Sequence, residues 1–320
     1  MGYTSDGFAT LLLTMALSPN REEYARPYST QEYYKLEQRV RESSCYHSVG
    51  DLMGVDISGL MINLNVSEEE GYRIFTLLNR GVQLGYTIEN FLIKGIEVVT
   101  LHTEEYPECL QRRMREAAPP FLYRCGNVSL VGKPAVSIIG ISGVKTTPEV
   151  RDGIVSIVKS ACKLGYNIIT GGELGVSRVA AGAVLEFGGN MIDVLGGGMY
   201  DHLSYEPIDA LMKEGRLALL SMEHPEAMFT VSHAIARNKI IFAMSDAAFI
   251  CNTDNKRGET DALHNRYCDW IYAWSGYPAN HTLISRGATP IADLRSFDFE
   301  DMSRHWRGSQ SEQLNMFDML

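Results

Sequence analysis

The sequence predicts an α/β protein with a Rossmann-like, doubly wound and mostly parallel sheet, preceded by an all-helical domain. Three observations predict it. Up to about residue 95 apolar residues recur at spacings of three and four; from Ala135 onward short apolar runs alternate with helical patterns; and three of those runs end in glycine. The first pattern belongs to helices that bury one face, the second to βαβ units, and the third to strand ends left open for a ligand.

The helical pattern runs through Phe8 to Leu17, Tyr33 to Val40 and Gly71 to Leu84. Thr30 and Ser67 stand where N-caps belong. Thr30-Gln31-Glu32 and Ser67-Glu68-Glu69-Glu70 place acidic residues in a first turn, where they favour the positive end of the helix dipole. Residues 1–95 therefore read as one small helical domain, a packing or regulatory module. Residues 96–132 read as a linking segment: a short strand Ile96 to Leu101, then Tyr106-Pro107, then Pro119-Pro120-Phe121-Leu122-Tyr123, whose prolines forbid a long helix. The α/β domain is expected over 133–295. Its strands and helices are Val136 to Gly140, a helix near Glu149 to Leu164, Tyr166 to Thr170, Val176 to Phe187, Met191 to Leu195, Ile208 to Glu214, Leu217 to Met222, Ile235 to Met244, and Ala247 to Cys251. Residues 296–320 are polar, carry Asp298, Glu300 and Asp301, and read as a flexible tail.

At 320 residues and 45% hydrophobic content the chain is long enough for two domains with a large core. Its longest apolar stretches, Phe8 to Leu17 and Ala135 to Ile141, fall short of the roughly 18 to 20 residues that span a bilayer. No basic cluster precedes Leu11 to Leu13, and Asn20-Arg21-Glu22-Glu23 is no cleavage site, so a secretory leader is not expected. Cys45, Cys109, Cys125, Cys162, Cys251 and Cys268 contain no C-x-x-C pair. That excludes a zinc ribbon and a compact disulfide framework, and it fits reduced thiols in a cytoplasmic protein. The net charge of −10 requires that any nucleic-acid site be a local basic patch.

The glycine-terminated strands are Ile138-Ile139-Gly140, Ile168-Ile169-Thr170-Gly171-Gly172 and Asp193-Val194-Leu195-Gly196-Gly197-Gly198. Glycine lets backbone approach a phosphate, and the helices that follow supply amide donors. Gly140, Thr170, Gly171, Gly172 and Gly197 are thus candidate phosphate contacts, with Ser142 and Lys145 beside the first strand end. Gly140-Ile141-Ser142-Gly143 is not a G-x-G-x-x-G fingerprint, no acidic residue follows to hold a ribose, and no G-K-[ST] is present, so neither NAD nor an NTPase site is expected, nor any other cofactor. The histidines lack metal-ligand spacing, and Ser142, Ser177 and Ser221 lack a nucleophile elbow. The basic signal is Arg237-Asn238-Lys239, joined by Lys256-Arg257. Only Asp246 and Asp254 oppose it between Arg237 and Arg257.

The order of motifs is more specific than any one of them. Tyr106-Pro107-Glu108-Cys109-Leu110, Pro119 to Gly126, Ile139-Gly140, Leu164 to Ser177, Ala183 to Gly189, Asp193 to Gly198, Gly215 to Ser221, Arg237-Asn238-Lys239-Ile240-Ile241 and Asn280 to Ala288 together resemble the DprA/Smf (DNA-processing protein A) family, from Gly95 to Leu294. The resemblance implies a DprA-like Rossmann domain behind a SAM-like or helix-hairpin domain. It implies single-stranded DNA binding and protection without turnover, the loading of a RecA-type recombinase during recombination or DNA uptake, and it allows a homodimer. Asn238, between two cations, has a family counterpart. The sequence also departs from the family pattern: Gly140-Ile141-Ser142 replaces Gly-Ser-Arg, leaving Lys145 as the nearest cation, and Thr170-Gly171-Gly172-Glu173-Leu174-Gly175-Val176-Ser177 lacks the family's aspartate and introduces Glu173, which would repel a phosphate.

Two other readings stand beside this one. A nucleotide-processing relative, such as a phosphoribohydrolase, would carry Pro-Gly-Gly-x-Gly-Thr-x-x-Glu, whereas the chain reads Lys256-Arg257-Gly258-Glu259-Thr260-Asp261-Ala262. A protein-interaction scaffold with a vestigial pocket would explain the lost arginine and aspartate. In the tail, Gln313-Leu314-Asn315-Met316-Phe317 resembles the peptide that replication proteins dock into the sliding clamp, with Gln313, Leu314, Met316 and Phe317 as anchors.

Overall fold

The computed structural model describes residues 2–18, 23–141, 146–200, 202, 206–255 and 257–306, the side chain of Arg257 excepted. The chain divides into two compact units. One comprises Met1–Gly126, Gly197–Tyr200 and Leu220–Phe229; the other comprises Asn127–Gly196, Asp201–Leu219 and Thr230–Leu320.

The first unit is built from helices α1 (Ser5–Thr14), α2 (Thr30–Glu42), α3 (Ile57–Leu64), α4 (Glu68–Leu78) and α5 (Gly81–Ile93), then strand β1 (Ile96–Thr100), helix α6 (Glu108–Met114) and strand β2 (Phe121–Gly126). α1 is its centre: Ala9, Leu11, Leu12, Leu13 and Met15 are all buried. The cap of α2 is Ser29, one residue before the expected Thr30, and it forms a reciprocal capping box with Glu32. Ser67 caps α4 as expected by accepting from the Glu70 amide. The apolar pattern from Gly71 to Leu84 spans two helices. The break falls at Asn79 and Arg80, because Arg80 turns inward to donate to the carbonyls of Leu12 and Met15 and to pair with Glu23. The prolines of 96–132 do prevent a long helix, and the segment still contributes the antiparallel pair β1 and β2, in register from Ile96 opposite Cys125 to Thr100 opposite Phe121.

The second unit follows as β3 (Ala135–Ile139), α7 (Pro148–Lys163), β4 (Asn167–Thr170), α8 (Val176–Glu186), β5 (Met191–Leu195), α9 (Glu206–Lys213), β6 (Leu217–Ser221), α10 (Val231–Ala243), β7 (Ala247–Ile250), α11 (Arg257–His264), β8 (Trp270–Trp274), α12 (Asn280–Ser285) and β9 (Thr289–Ile291). The strand order is β6-β5-β4-β3-β7-β8-β9. The pairs β5–β4, β4–β3, β3–β7, β7–β8 and β8–β9 are all parallel. This is the doubly wound α/β arrangement expected from the alternation of apolar runs and helices. β3 to β5 and β7 are buried along their whole length, which is why they read as continuous apolar runs. β3 lies between β4 and β7, so the winding reverses beside it. In open sheets of this kind ligands bind beyond the carboxyl ends of the strands at that reversal.

The expected tail is corrected over its first part. Phe297, Phe299 and Trp306 join Tyr166, Phe249 and Tyr272 in one aromatic cluster, with ring centroids 5.0 Å apart for Phe249 and Phe297 and 5.3 Å for Phe299 and Trp306. The Trp306 indole donates to the Tyr272 hydroxyl at 3.2 Å. The charges of Asp298, Glu300 and Asp301 masked this apolar spacing. Residues 307–320, with the clamp-like motif Gln313 to Phe317, lie outside the described residues. Among the described residues no helix is long and apolar enough to cross a membrane.

Trp306 is 1% exposed, so Trp306→Ala should destabilise the protein by about 3–5 kcal/mol through lost burial and the cavity left behind. Urea denaturation measures this. A loss below about 1 kcal/mol would show that the segment is not part of the core.

Candidate functional site

The strand ends of the second unit gather around one buried cation. Arg237 lies in the second turn of α10, which begins at Val231 and not at the expected Ile235, because Thr230 caps the helix by accepting from the His233 amide. The Arg237 side chain is 4% exposed. Its guanidinium donates to the Val194 carbonyl at 3.0 Å, pairs with Glu173 at 2.5 Å, and its Nε reaches the Ala234 carbonyl at 3.4 Å. Burial lowers its pKa and the Glu173 carboxylate opposes that effect; arginine nonetheless stays charged.

Gly171 lies against this guanidinium. A Cβ at Gly171 would overlap it, so only glycine permits the approach. Gly172 has φ +72°, and its amide donates to the Thr170 hydroxyl at 3.1 Å. That hydroxyl donates to Asp193 at 2.5 Å, and the other Asp193 oxygen is 2.8 Å from His202 Nε2. Asp193 is fully buried. The β4 end is thus held by a chain of hydrogen bonds running to the middle of β5.

At the reversal beside β3, the Ile141 amide donates to Asn252 Oδ1 at 2.6 Å and the Cys251 amide to the Ile139 carbonyl at 2.9 Å. Gly140 packs between Val176, the first residue of α8, and Asn252. Among the described residues no side chain caps α8, whose N-cap is Gly175. Beyond β7, Asn238 donates to Glu259 at 3.2 Å, and Glu259 is 7% exposed with its second carboxylate oxygen unpartnered among the described residues. Burial raises the Glu259 pKa, with Asp254 adding to the rise and Arg237 opposing it. Asn280 is completely buried and donates to the carbonyls of Ile250, Cys251 and Trp274, locking the ends of β7 and β8 together. The Asn280 motif therefore has a structural role in this fold.

The structure brings Gly140, Thr170, Gly171, Gly172, Arg237 and Asn238 to these strand ends. Lys239 faces away from Arg237 along the helix and pairs with Asp261 at 2.9 Å. Gly197 belongs to the first unit, where its carbonyl accepts from Ser221 and the adjacent Gly198 amide donates to Ala227. Ser142, Lys145 and Lys256 lie outside the described residues, as does the side chain of Arg257. Sequence reasoning did not pair Glu173 with Arg237, nor Asp193 with His202. The available signal was an aspartate inside the apolar run Met191-Ile192-Asp193-Val194-Leu195, since a charge there needs a buried partner. No group of three or more histidine, cysteine or acidic residues fit to hold a metal occurs among the described residues.

A family model described as DNA recombination-mediator protein A matches residues 97–295. The chain belongs to this family. DNA processing protein DprA of Bacillus subtilis (strain 168) is 25% identical over 169 residues, 52% of this chain and 55% of that relative. The chain thus matches about half the length of this curated member. The X-ray structure of DNA processing protein A from Streptococcus pneumoniae shares the fold, with a TM-score of 0.55 at 19% identity, covering 85% of this chain and 99% of that one. A structure of DNA processing protein A from Helicobacter pylori, reported for the unique single-stranded DNA binding mode of that protein, gives a TM-score of 0.50 at 21% identity over 62% of this chain and 93% of that one. The family and Rossmann-like fold expected from the motif order are those found, and the DNA recombination-mediator family is a DNA-processing one.

Glu259 provides a pH test of this site. A carboxyl whose folded pKa is raised favours the fold in its neutral form; that stability is full below the ordinary carboxylate range and is lost as pH rises through the folded pKa. Glu259→Gln stays neutral and keeps an acceptor for Asn238. It should therefore melt at a higher temperature than the wild type near neutral pH and lose that advantage below about pH 4. A difference independent of pH would show that Glu259 is not desolvated as described.

Proposed function

We propose that the chain is a recombination mediator that binds and protects single-stranded DNA without catalytic turnover and hands it to a RecA-type recombinase. One observation carries the reading: in a member of this family, the neighbouring ends of β3 and β4 present glycines, Gly140 and Gly171-Gly172, with the Arg237 guanidinium packed against Gly171. Such a cradle accepts a phosphate through backbone amides and leaves room for an unstacked base, which a duplex does not offer. Lys256 and Arg257, next along the chain from β7, are proposed as further phosphate contacts, with Lys145 in the place of the family's missing arginine. All six cysteines are free, in keeping with action in a reducing cytoplasm. The motif Gln313-Leu314-Asn315-Met316-Phe317 is proposed as a short peptide for the sliding clamp, bound through its leucine and aromatic anchors.

A second reading, nucleotide processing, is favoured by one feature: Glu259, a desolvated carboxyl with one oxygen unpartnered among the described residues, lies within electrostatic reach of Arg237. A carboxyl whose pKa is raised by burial holds its proton to higher pH than one in water, as a general acid must. Release of free base from AMP, abolished by Glu259→Gln, would bring that reading forward.

The principal reading predicts that labelled poly-dT binds more tightly than blunt duplex of equal length, and that its affinity falls steadily with added salt as counterions are released from the phosphates. A fluorescence anisotropy titration across salt concentrations measures both. Equal affinity for duplex, or none for poly-dT at low salt, would overturn it.

A further inference from the structure

Glu173 is a carboxylate placed inside a cradle suited to an anion. It occupies the Arg237 guanidinium at 2.5 Å, and that guanidinium lies against Gly171, so the carboxylate already fills an acceptor position that a phosphate oxygen would need. Three carboxylates act on this arginine, namely Glu173, Asp193 and Glu259. They are not equivalent. Asp193 is fully buried and committed to Thr170 and His202, and Glu259 is buried on α11 and accepts from Asn238. Glu173 alone of the three retains a path to water, with 17% of its side chain exposed, and its neighbour Leu174 is half-exposed. It also lies on a short loop between Gly172 and Gly175, both at positive φ.

We propose that Glu173 is a tethered competitor for phosphate and the specificity-determining residue of this site. A phosphate group, on a nucleic-acid backbone or free, reaches Arg237 by displacing the Glu173 carboxylate into solvent. Asp193 and Glu259 remain to compensate the buried guanidinium while the exchange takes place. With a backbone phosphodiester the exchange replaces one monoanion with another, so the local charge is conserved and the cost is the lost charge-assisted hydrogen bond; a free phosphate brings up to one further negative charge. The cradle therefore rejects ligands that reach Arg237 with neutral acceptors alone. This rests on the strand-end cradle being the phosphate site.

The test compares the full-length wild type with Glu173→Gln, which keeps the side chain's size but not its charge, and with Glu173→Asp, which keeps the charge but shortens the reach by one methylene. Calorimetric titration with inorganic phosphate should show about tenfold tighter binding to Glu173→Gln than to the wild type, the size of effect expected from one charge-assisted hydrogen bond. Glu173→Asp should also bind more tightly than the wild type. Equal or weaker phosphate binding by folded Glu173→Gln overturns the proposal and makes the pair a structural tie. Should Glu173→Gln not fold, the same outcome in Glu173→Asp decides it. Poly-dT and deoxythymidine monophosphate, titrated in parallel, separate backbone phosphate from free nucleotide as the source. A wild type and variant that both ignore poly-dT, with the phosphate gain intact, overturn single-stranded DNA binding and leave the competitor in place. Poly-dT binding by the wild type, with no phosphate gain in the variant, does the reverse.

Discussion

A guanidinium stripped of water must find a hydrogen-bond acceptor for nearly every donor it carries, and its charge must be met nearby, or the fold pays several kcal/mol. Arg237 meets that demand by drawing partners from three elements at once: the loop after β4, the strand β5 through Val194, and its own helix α10 through Ala234. The glycine at 171 follows from this, since a Cβ there would overlap the guanidinium. The Thr170–Asp193–His202 chain of hydrogen bonds, which fixes the β4 end beside the arginine, belongs to the same arrangement. These contacts hold the charge beyond the carboxyl ends of β4 and β5, the side of an open sheet on which ligands bind.

Much of the fold was legible in the sequence because burial on both faces leaves a plain record. Val136 to Ile139, Ile168 to Thr170 and Ala247 to Cys251 are uninterrupted runs with polar or helical segments between them, and parallel strands require that pattern. Helix boundaries were less legible. Arg80 reads as a surface residue on a continuous helix; its inward turn depends on carbonyls in α1, distant in sequence. β8 and β9 escaped notice because the run Trp270 to Trp274 follows a polar stretch and Thr289-Pro290-Ile291 has no periodicity at all. Their strand character comes from pairing with β7.

The site was legible by position and illegible by charge. The strand-end glycines and the Arg237-Asn238-Lys239 triplet marked the right region. Composition alone made the triplet a solvent-facing basic patch, whereas helical geometry turns adjacent residues in different directions: Arg237 points into the sheet, Asn238 toward Glu259, and Lys239 toward Asp261. A sequence counts charges; which of them are already neutralised is decided by contacts between residues dozens of positions apart. The acidic balance of the chain and its assignment to a DNA-processing family are compatible because affinity depends on the few cations left within reach of a ligand, and not on the sum.

The aromatic cluster formed by Phe249, Tyr272, Phe299 and Trp306 has a consequence for biogenesis. The ribosome delivers β3 to β7 well before residues 297–306 emerge, so a growing chain holds most of its sheet while Tyr166, Phe249 and Tyr272 still lack these aromatic partners. Contacts of such long sequence separation close late and slowly, and an unfinished apolar face is the surface that aggregates or recruits a chaperone. Translation that stalls between β9 and Trp306 would leave a product carrying every strand-end residue of the site and lacking the aromatic partners of Phe249 and Tyr272.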